Sequence, residues 1–250
     1  MSTTKPIHMP RQIIKLVTLD LDDTLWPNKK VIIESEKALW RFVNLKFPEI
    51  ERKINEEKIT AIKVNLVETD PLIKFDLTRF RKEVIKEILL HLGAQENEAI
   101  YYSNEAFSEF FKIRNKVKLF PGAKNILERL NRDTNLISLS NGNADLGIIG
   151  IANFFKATIS SQDVSSNKPA PQHFLKALKI GGCEPEESLH IGDCPINDIG
   201  GARNCNFHTI WFNCEKRKWD EIVPYEYQAK SWKDVYDVIN KNFILEKINV

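Results

Sequence analysis

The run Ile13-Ile14-Lys15-Leu16-Val17-Thr18-Leu19-Asp20 is short, mostly apolar and β-branched, and closes on a cluster of acids. Such a run predicts a buried strand that delivers polar groups at its carboxyl end. The pattern returns at 136–139 ahead of Ser140-Asn141-Gly142-Asn143, and at 188–191 ahead of Gly192-Asp193. A fourth apolar run spans 207–212 and a weaker one 157–161. Between them lie helical spacings: Ala123, Ile126, Leu127 and Leu130 after Pro121-Gly122, and the segment 171–178 ahead of Gly181-Gly182. Strand and helix therefore alternate, which predicts an α/β fold with a doubly wound, Rossmann-like parallel sheet.

The stretch 27–115 breaks that rhythm. Ile32, Leu39, Phe42 and Val43 predict a helix over 32–46. Phe80, Val84, Ile85, Ile88, Leu89 and Leu92, stopped by Gly93, predict one over 78–92, and Ala106, Phe107, Phe110 and Phe111 one over 99–114. No comparable strand signal lies among them, and 65–75, around Asp70-Pro71, reads as a loop. The prediction is an all-helical insert at 27–115, capping the strand ends of a core formed by 1–26 and 116–250. The Phe107, Phe110 and Phe111 stripe is assigned to packing.

Composition narrows the class. A chain of 250 residues with 42% apolar and 28% charged positions builds one large core, or a core with one insert. Lys+Arg at 36 against Asp+Glu at 34 leaves +2, too even for the positive field of a nucleic-acid or anionic-membrane binder. The expected partner is a small molecule rather than a nucleic acid or a membrane. Residues 1–12 carry no apolar signal core, so a cytoplasmic location is expected. Cys183, Cys194, Cys205 and Cys214 form no C-x-x-C pair and read as reduced thiols.

The chemistry concentrates at the strand ends. Alternation along extended backbone puts Asp20 and Asp22 on one side, roughly 6–7 Å apart. One carboxylate is then able to attack an electrophile while the other handles a leaving group's proton. A solvated acidic turn is the plain alternative. Gly192-Asp193-Cys194-Pro195-Ile196-Asn197-Asp198 ends a second strand with another acidic pair. Asp20, Asp193 and the main-chain carbonyl near Asp22 would suffice for Mg²⁺, a cation that favours oxygen ligands and phosphate-bearing substrates. An N-cap and a helix-surface acid would explain Asp193 or Asp198 singly. Ser140-Asn141-Gly142 offers a hydroxyl, an N–H and close backbone approach to phosphoryl oxygens, and Lys168, ahead of Pro169, offers an ammonium.

In this order, the Asp20–Thr24 segment, Ser140, Lys168 and the Gly192–Asp198 segment resemble the haloacid dehalogenase superfamily. The resemblance implies a helical cap after the first motif. It also implies Asp20 as nucleophile and Asp22 as acid and base, with Mg²⁺ held by Asp20, the Asp22 carbonyl and Asp193. Ser140, Asn141, Gly142 and Lys168 would hold phosphate, and Asp198 would orient Lys168 or a metal-bound water. The superfamily's dehalogenases lack the second acid, so Asp22 points to its phosphatase branch.

A finer likeness is to the bacterial flavin-pathway phosphatases acting on 5-amino-6-(5-phospho-D-ribitylamino)uracil and FMN. It rests on Asp20-Leu21-Asp22-Asp23-Thr24-Leu25-Trp26, Asp76-x-Thr78-Arg79-Phe80 and Ser140-Asn141-Gly142-Asn143-Ala144; Cys194 stands where those enzymes have an acid. Arg79 and Arg81 are candidates for gripping the rest of the substrate and Trp26 for lining the hinge, although solvated ion pairs and packing explain all three equally well. The alternatives are a sugar-phosphate phosphatase, a phosphomutase of the same superfamily, and a non-catalytic phosphate-ligand binder.

Overall fold

The computed structural model describes residues 11–221 and 224–247. The N-terminal reading over 1–10 lies outside the described residues. The first apolar run divides at Lys15, whose backbone N–H and side chain both turn to Glu187. This leaves β1 (Gln12–Ile14) and β2 (Leu16–Leu19) as separate strands. The central sheet comprises β2 with β3 (Asn135–Ser140), β4 (Ala157–Ser160), β5 (Ser188–Gly192), β6 (His208–Phe212) and β7 (Tyr227–Ala229). Their order is β4-β3-β2-β5-β6-β7 and every pairing is parallel. A second, two-stranded sheet pairs β1 with β8 (Phe243–Leu245).

Successive strands are laid outward from β2 to β4, after which the chain returns to place β5 on the other side of β2. That reversal makes the carboxyl end of β2 the switch point where doubly wound sheets bind ligands. Strands β2, β3 and β5 are buried along their whole length, as expected of a sheet covered on both faces. One face packs Leu127 and Leu130 of α6 (Ala123–Asp133) and Val235 and Ile239 of the helix Trp232–Asn242 against Val17, Leu19, Leu189 and Ile191. The opposite face packs Phe174 and Ala177 of the helix Gln172–Gly181 against Leu16, Ile137 and Leu139.

Between β2 and β3 run α1 (Lys29–Lys46), α2 (Ile50–Lys53), α3 (Glu56–Thr69), α4 (Leu77–His91) and α5 (Glu96–Arg114). Leu39, Val43, Ile85, Ile88, Leu89, Ala106 and Phe110 build a hydrophobic cluster separate from the two that sandwich the sheet. The loop expected over 65–75 is corrected here: α3 continues to Thr69, and only a short 3₁₀ turn, Ile73–Phe75, precedes α4. In α3 only Ile62 is buried, so there was no apolar stripe for periodicity to detect. An Asn55 cap, whose side chain accepts from the Lys58 N–H, marks where that helix starts.

Among the described residues no helix is long and apolar enough to cross a membrane.

Candidate active site

Asp20 follows β2 directly, and its N–H still donates to Ile191 O at 2.9 Å, which holds it beside β5 at the switch point. The turn after it is fixed by Asp23 at φ +59° and by Thr24, whose hydroxyl donates to Asp20 Oδ2 at 3.2 Å. Lys168 Nζ, itself buried, lies 2.7 Å from Asp20 Oδ1, 2.6 Å from Asp198 Oδ1 and 2.7 Å from Leu139 O. All three ammonium protons are thereby satisfied. The Asn141 side chain grips the backbone of Lys168, accepting its N–H at 2.8 Å and donating to its carbonyl at 3.1 Å. The strand that carries Ser140 thus also places Lys168. Ser140 is buried and its Oγ accepts the Gly142 N–H at 2.9 Å, curling the loop after β3 toward the acids.

Asp198 reaches the same point from the π-helical turn Pro195–Gly200. Its Oδ2 accepts the Cys194 N–H at 2.9 Å, and its Oδ1 lies 3.3 Å from Nε2 of the buried His190. The other ring nitrogen of His190 is 2.8 Å from the Thr18 hydroxyl, so the tautomer that donates from Nε2 satisfies both contacts. Residue 192 has to be glycine, because a Cβ there would lie 2.3 Å from the carboxyl carbon of Asp198. Asp193 is held by Arg217, which donates to its Oδ2 at 2.9 Å, and its main-chain O accepts Trp211 Nε1 at 2.8 Å. Asp20, Asp193 and Asp198 each present a carboxylate oxygen within 4.8 Å of the others.

Electrostatics follow from that crowding. Burial pushes Asp20 well above the carboxylate range, against the pull of Lys168, and Asp198 and Asp193 push it further. Burial and the neighbouring Asp198 raise Asp193 to about 7 despite Arg217. Asp198 goes the other way: burial is outweighed by Lys168 and His190, and its carboxyl lies below the usual range. Lys168 is raised, its burial more than offset by Asp198 and Asp20. Three acids against one buried ammonium leave an excess of negative charge. Clustered oxygen donors with unspent charge are what a hard divalent cation requires, so the residues present fit one.

Asp22 lies beside this cluster and lines the same cavity of about 200 Å³ with Asp20, Asp193, Lys168, Ser140 and Asn141. Its carboxylate accepts from Trp26 Nε1 at 2.9 Å and from Arg114 Nη2 at 2.9 Å and 2.7 Å. Burial raises its pKa, and Arg114 and Trp26 offset that only in part. A second crevice of about 430 Å³ shares Ser140 and Gly142 and extends under the helical segment past Phe75, Thr78, Phe111 and Asn143. Across it, Asn143 Nδ2 donates to Thr78 Oγ1 at 3.2 Å and Gln162 Nε2 to Asp76 Oδ2 at 2.9 Å.

The structure therefore brings Asp20, Asp22, Ser140, Asn141, Gly142, Lys168, Asp193 and Asp198 to one cavity. Arg79 is not among the residues lining either space: its Nη1 pairs with Asp70 at 2.8 Å. Arg81 pairs with Glu36 and lies 3.9 Å over the Phe110 ring. Trp26 is fully buried and bonded to Asp22. Cys194 is a free thiol whose Sγ accepts the Asn197 N–H at 3.4 Å, the N-cap contact of the turn that carries Asp198. Sequence reasoning missed Arg114, His190 and Arg217, which no local motif marks.

The family model described as a hydrolase, haloacid dehalogenase-like hydrolase, matches residues 14–206. The chain is 28% identical over 224 residues to the 5-amino-6-(5-phospho-D-ribitylamino)uracil phosphatase YigB of Escherichia coli (strain K12), covering 87% of this chain and 93% of that one. It is 30% identical over 163 residues to a phosphoserine phosphatase of Thermus thermophilus, 63% of this chain and 64% of that one. A solved structure of a 2-haloacid dehalogenase from Pseudomonas syringae pv. Tomato DC3000 superposes with a TM-score of 0.87 at 30% identity, over 92% of this chain and 99% of that one.

Proposed function

The chain belongs to the haloacid dehalogenase-like hydrolases and is a phosphatase of that family; from that premise we propose that it hydrolyses a small phosphomonoester through an aspartyl-phosphate on Asp20. The observation that carries this reading is the meeting of Asp20, Asp198 and Lys168 Nζ, within 2.7 Å, at the switch point of the sheet. Asp20 attacks phosphorus, forming the acyl–phosphate bond as the ester P–O bond breaks. Asp22 gives its proton to the departing alkoxide, then takes one from the water that attacks the phosphoryl group and frees Asp20. Ser140 Oγ–H and the Asn141 N–H hold the phosphoryl oxygens, Gly142, whose N–H is held by Ser140 Oγ, lets them approach the backbone, and Lys168 adds its charge from beside Asp20. Asp20, Asp193, Asp198 and the Asp22 carbonyl would hold Mg²⁺, which when bound supplies neutralisation of phosphoryl charge.

Holding a cation there requires Asp20 and Asp193 to be ionised. Both are raised, Asp193 to about 7, so protons compete with the metal more strongly as pH falls below that value. Titration of Mg²⁺ into the apoprotein, followed by tryptophan fluorescence, is expected to show affinity at pH 5.5 weaker than at pH 7.5 by roughly tenfold or more. Equal affinities would rule out Asp193 as a ligand. Chelation should abolish turnover, and added Mg²⁺ should restore it.

The 27–115 segment acts as the cap, and the crevice beneath it takes the leaving group. Its lining carries Asp76, Asp145 and Asp163 and, among the described residues, no cationic side chain. A second anionic group on the substrate is therefore repelled, whereas a ribityl chain bearing a flat ring meets Phe75, Phe111, Thr78 and Asn143. Together with the likeness to YigB, this favours 5-amino-6-(5-phospho-D-ribitylamino)uracil or FMN as substrate, in riboflavin metabolism. FMN is expected to exceed phosphoserine in kcat/KM by at least about tenfold. Preference for phosphoserine in a metabolite screen would reject the flavin assignment.

A further inference from the structure

Resting on the phosphomonoesterase reading, we infer that Arg114 is a positioning residue for Asp22, fixing Oδ2 as the oxygen that carries the proton to the leaving group. Arg114 ends α5, where the helical segment returns to the sheet, and is 1% exposed. Its Nη2 donates to both Asp22 oxygens, while its Nε and Nη1 meet no hydrogen-bond partner among the described residues. Asp22 is thus the one carboxylate this buried guanidinium pairs with among the described residues.

Lone-pair accounting then separates the two oxygens. Each carboxylate oxygen has two acceptor positions. On Oδ1 both are taken, by Trp26 Nε1 at 2.9 Å and Arg114 Nη2 at 2.9 Å. On Oδ2 Arg114 takes one, at 2.7 Å, and one is left for the transferring proton. Oδ2 is also the oxygen that faces the loop after β3. A Cβ at Gly142 would lie 2.8 Å from Asp22 Oδ2, 3.2 Å from Ser140 Oγ and 3.3 Å from Arg114 Nη2. The absent side chain leaves room where the free acceptor position, the serine hydroxyl and the guanidinium meet. With Arg114 gone, Trp26 is the remaining hold on Asp22 among the described residues, and a carboxyl held at one oxygen rotates away from the ester oxygen it has to protonate.

The test is leaving-group dependence. An alkoxide needs the proton from Asp22, whereas 2,4-dinitrophenolate departs without it. The reading is the ratio of kcat/KM for an alkyl phosphate to that for 2,4-dinitrophenyl phosphate, taken on one preparation, so that the folded fraction cancels. In Arg114→Gln this ratio is expected to fall by about 10–100-fold, as for a misplaced general acid, and Arg114→Lys should recover part of it. In an Asp22→Asn background Arg114→Gln should change the ratio no further. Equal losses on both substrates, or a further fall in the Asp22→Asn background, would overturn the inference. A wild-type protein inactive on both substrates would instead overturn the phosphomonoesterase reading.

Discussion

Asparagine in place of Asp20 is expected to cut hydrolysis of p-nitrophenyl phosphate by about 10⁴-fold or more, the scale on which enzymes lose rate with their nucleophile. An aryl ester is the demanding choice, because its leaving group needs no help from Asp22 and the loss then reports on attack at phosphorus alone. The fold should survive. The amide oxygen still accepts from Lys168 Nζ in the place of Oδ1, the amide N–H in the place of Oδ2 donates to the Thr24 hydroxyl oxygen, Lys168 keeps Asp198 and Leu139 O, and one carboxylate leaves a crowded, buried cluster. Unchanged circular dichroism with abolished turnover is the expected pair of results. Substantial remaining turnover would remove Asp20 as nucleophile.

Methionine in place of Lys168 should damage both activity and stability. The ammonium lies between two buried carboxylates, and removing one partner of such a network costs about 3–5 kcal/mol because it leaves charge uncompensated. The pH dependence has a definite sign. Asp198 is held below its ordinary range in the folded protein, so its contribution to stability is present above the unfolded value and is lost as pH falls through the folded one. Without Lys168 that contribution goes, and burial raises the acids instead. The deficit of the variant is therefore expected to be largest near pH 7 and to shrink toward pH 4, where the carboxyls are protonated without penalty. Paired denaturant titrations at the two pH values measure it; a deficit independent of pH would mean that Lys168 stabilises by packing alone.

What could be read from sequence divides by range. The three strand-end segments at Asp20, Ser140 and Gly192 were legible because each combines an apolar run with polar residues within a few positions, and the sheet order around β2 accounts for their meeting, while Lys168 in its loop stood out only in their company. Arg114 was illegible for the opposite reason. It reads as an ordinary basic residue in the last turn of an amphipathic helix, and its partner Asp22 is 92 positions away. His190 hid inside a buried strand, where a histidine looks like core, and Arg217 lies in a loop with no periodicity. The helix Trp232–Asn242 is a different case. Trp232, Val235 and Ile239 follow helical spacing behind a Ser231 N-cap, so its signal was present and went unassigned. The misread end of α3 shows the limit of periodicity, since a helix that buries only Ile62 carries no stripe to find.

The charge arrangement explains why the site is built around a buried lysine. Asp198 stays ionised because Lys168 and His190 face it, and so it anchors the ammonium beside Asp20. Asp193 is paired instead with the half-exposed Arg217, its ion-pair partner among the described residues. A carboxylate compensated from the surface of the protein is well placed to gain from a bound cation.

A crystal grown with Mg²⁺ and beryllofluoride, a mimic of a phosphoryl group attached to a carboxylate, addresses the shared centre directly. Density should run from a carboxylate oxygen of Asp20 to beryllium, with the Ser140 hydroxyl on a fluorine, Lys168 beside Asp20 and the cation on Asp20 and Asp193. Beryllium bonded to any other side chain, or Mg²⁺ ligated without Asp193, would contradict the account.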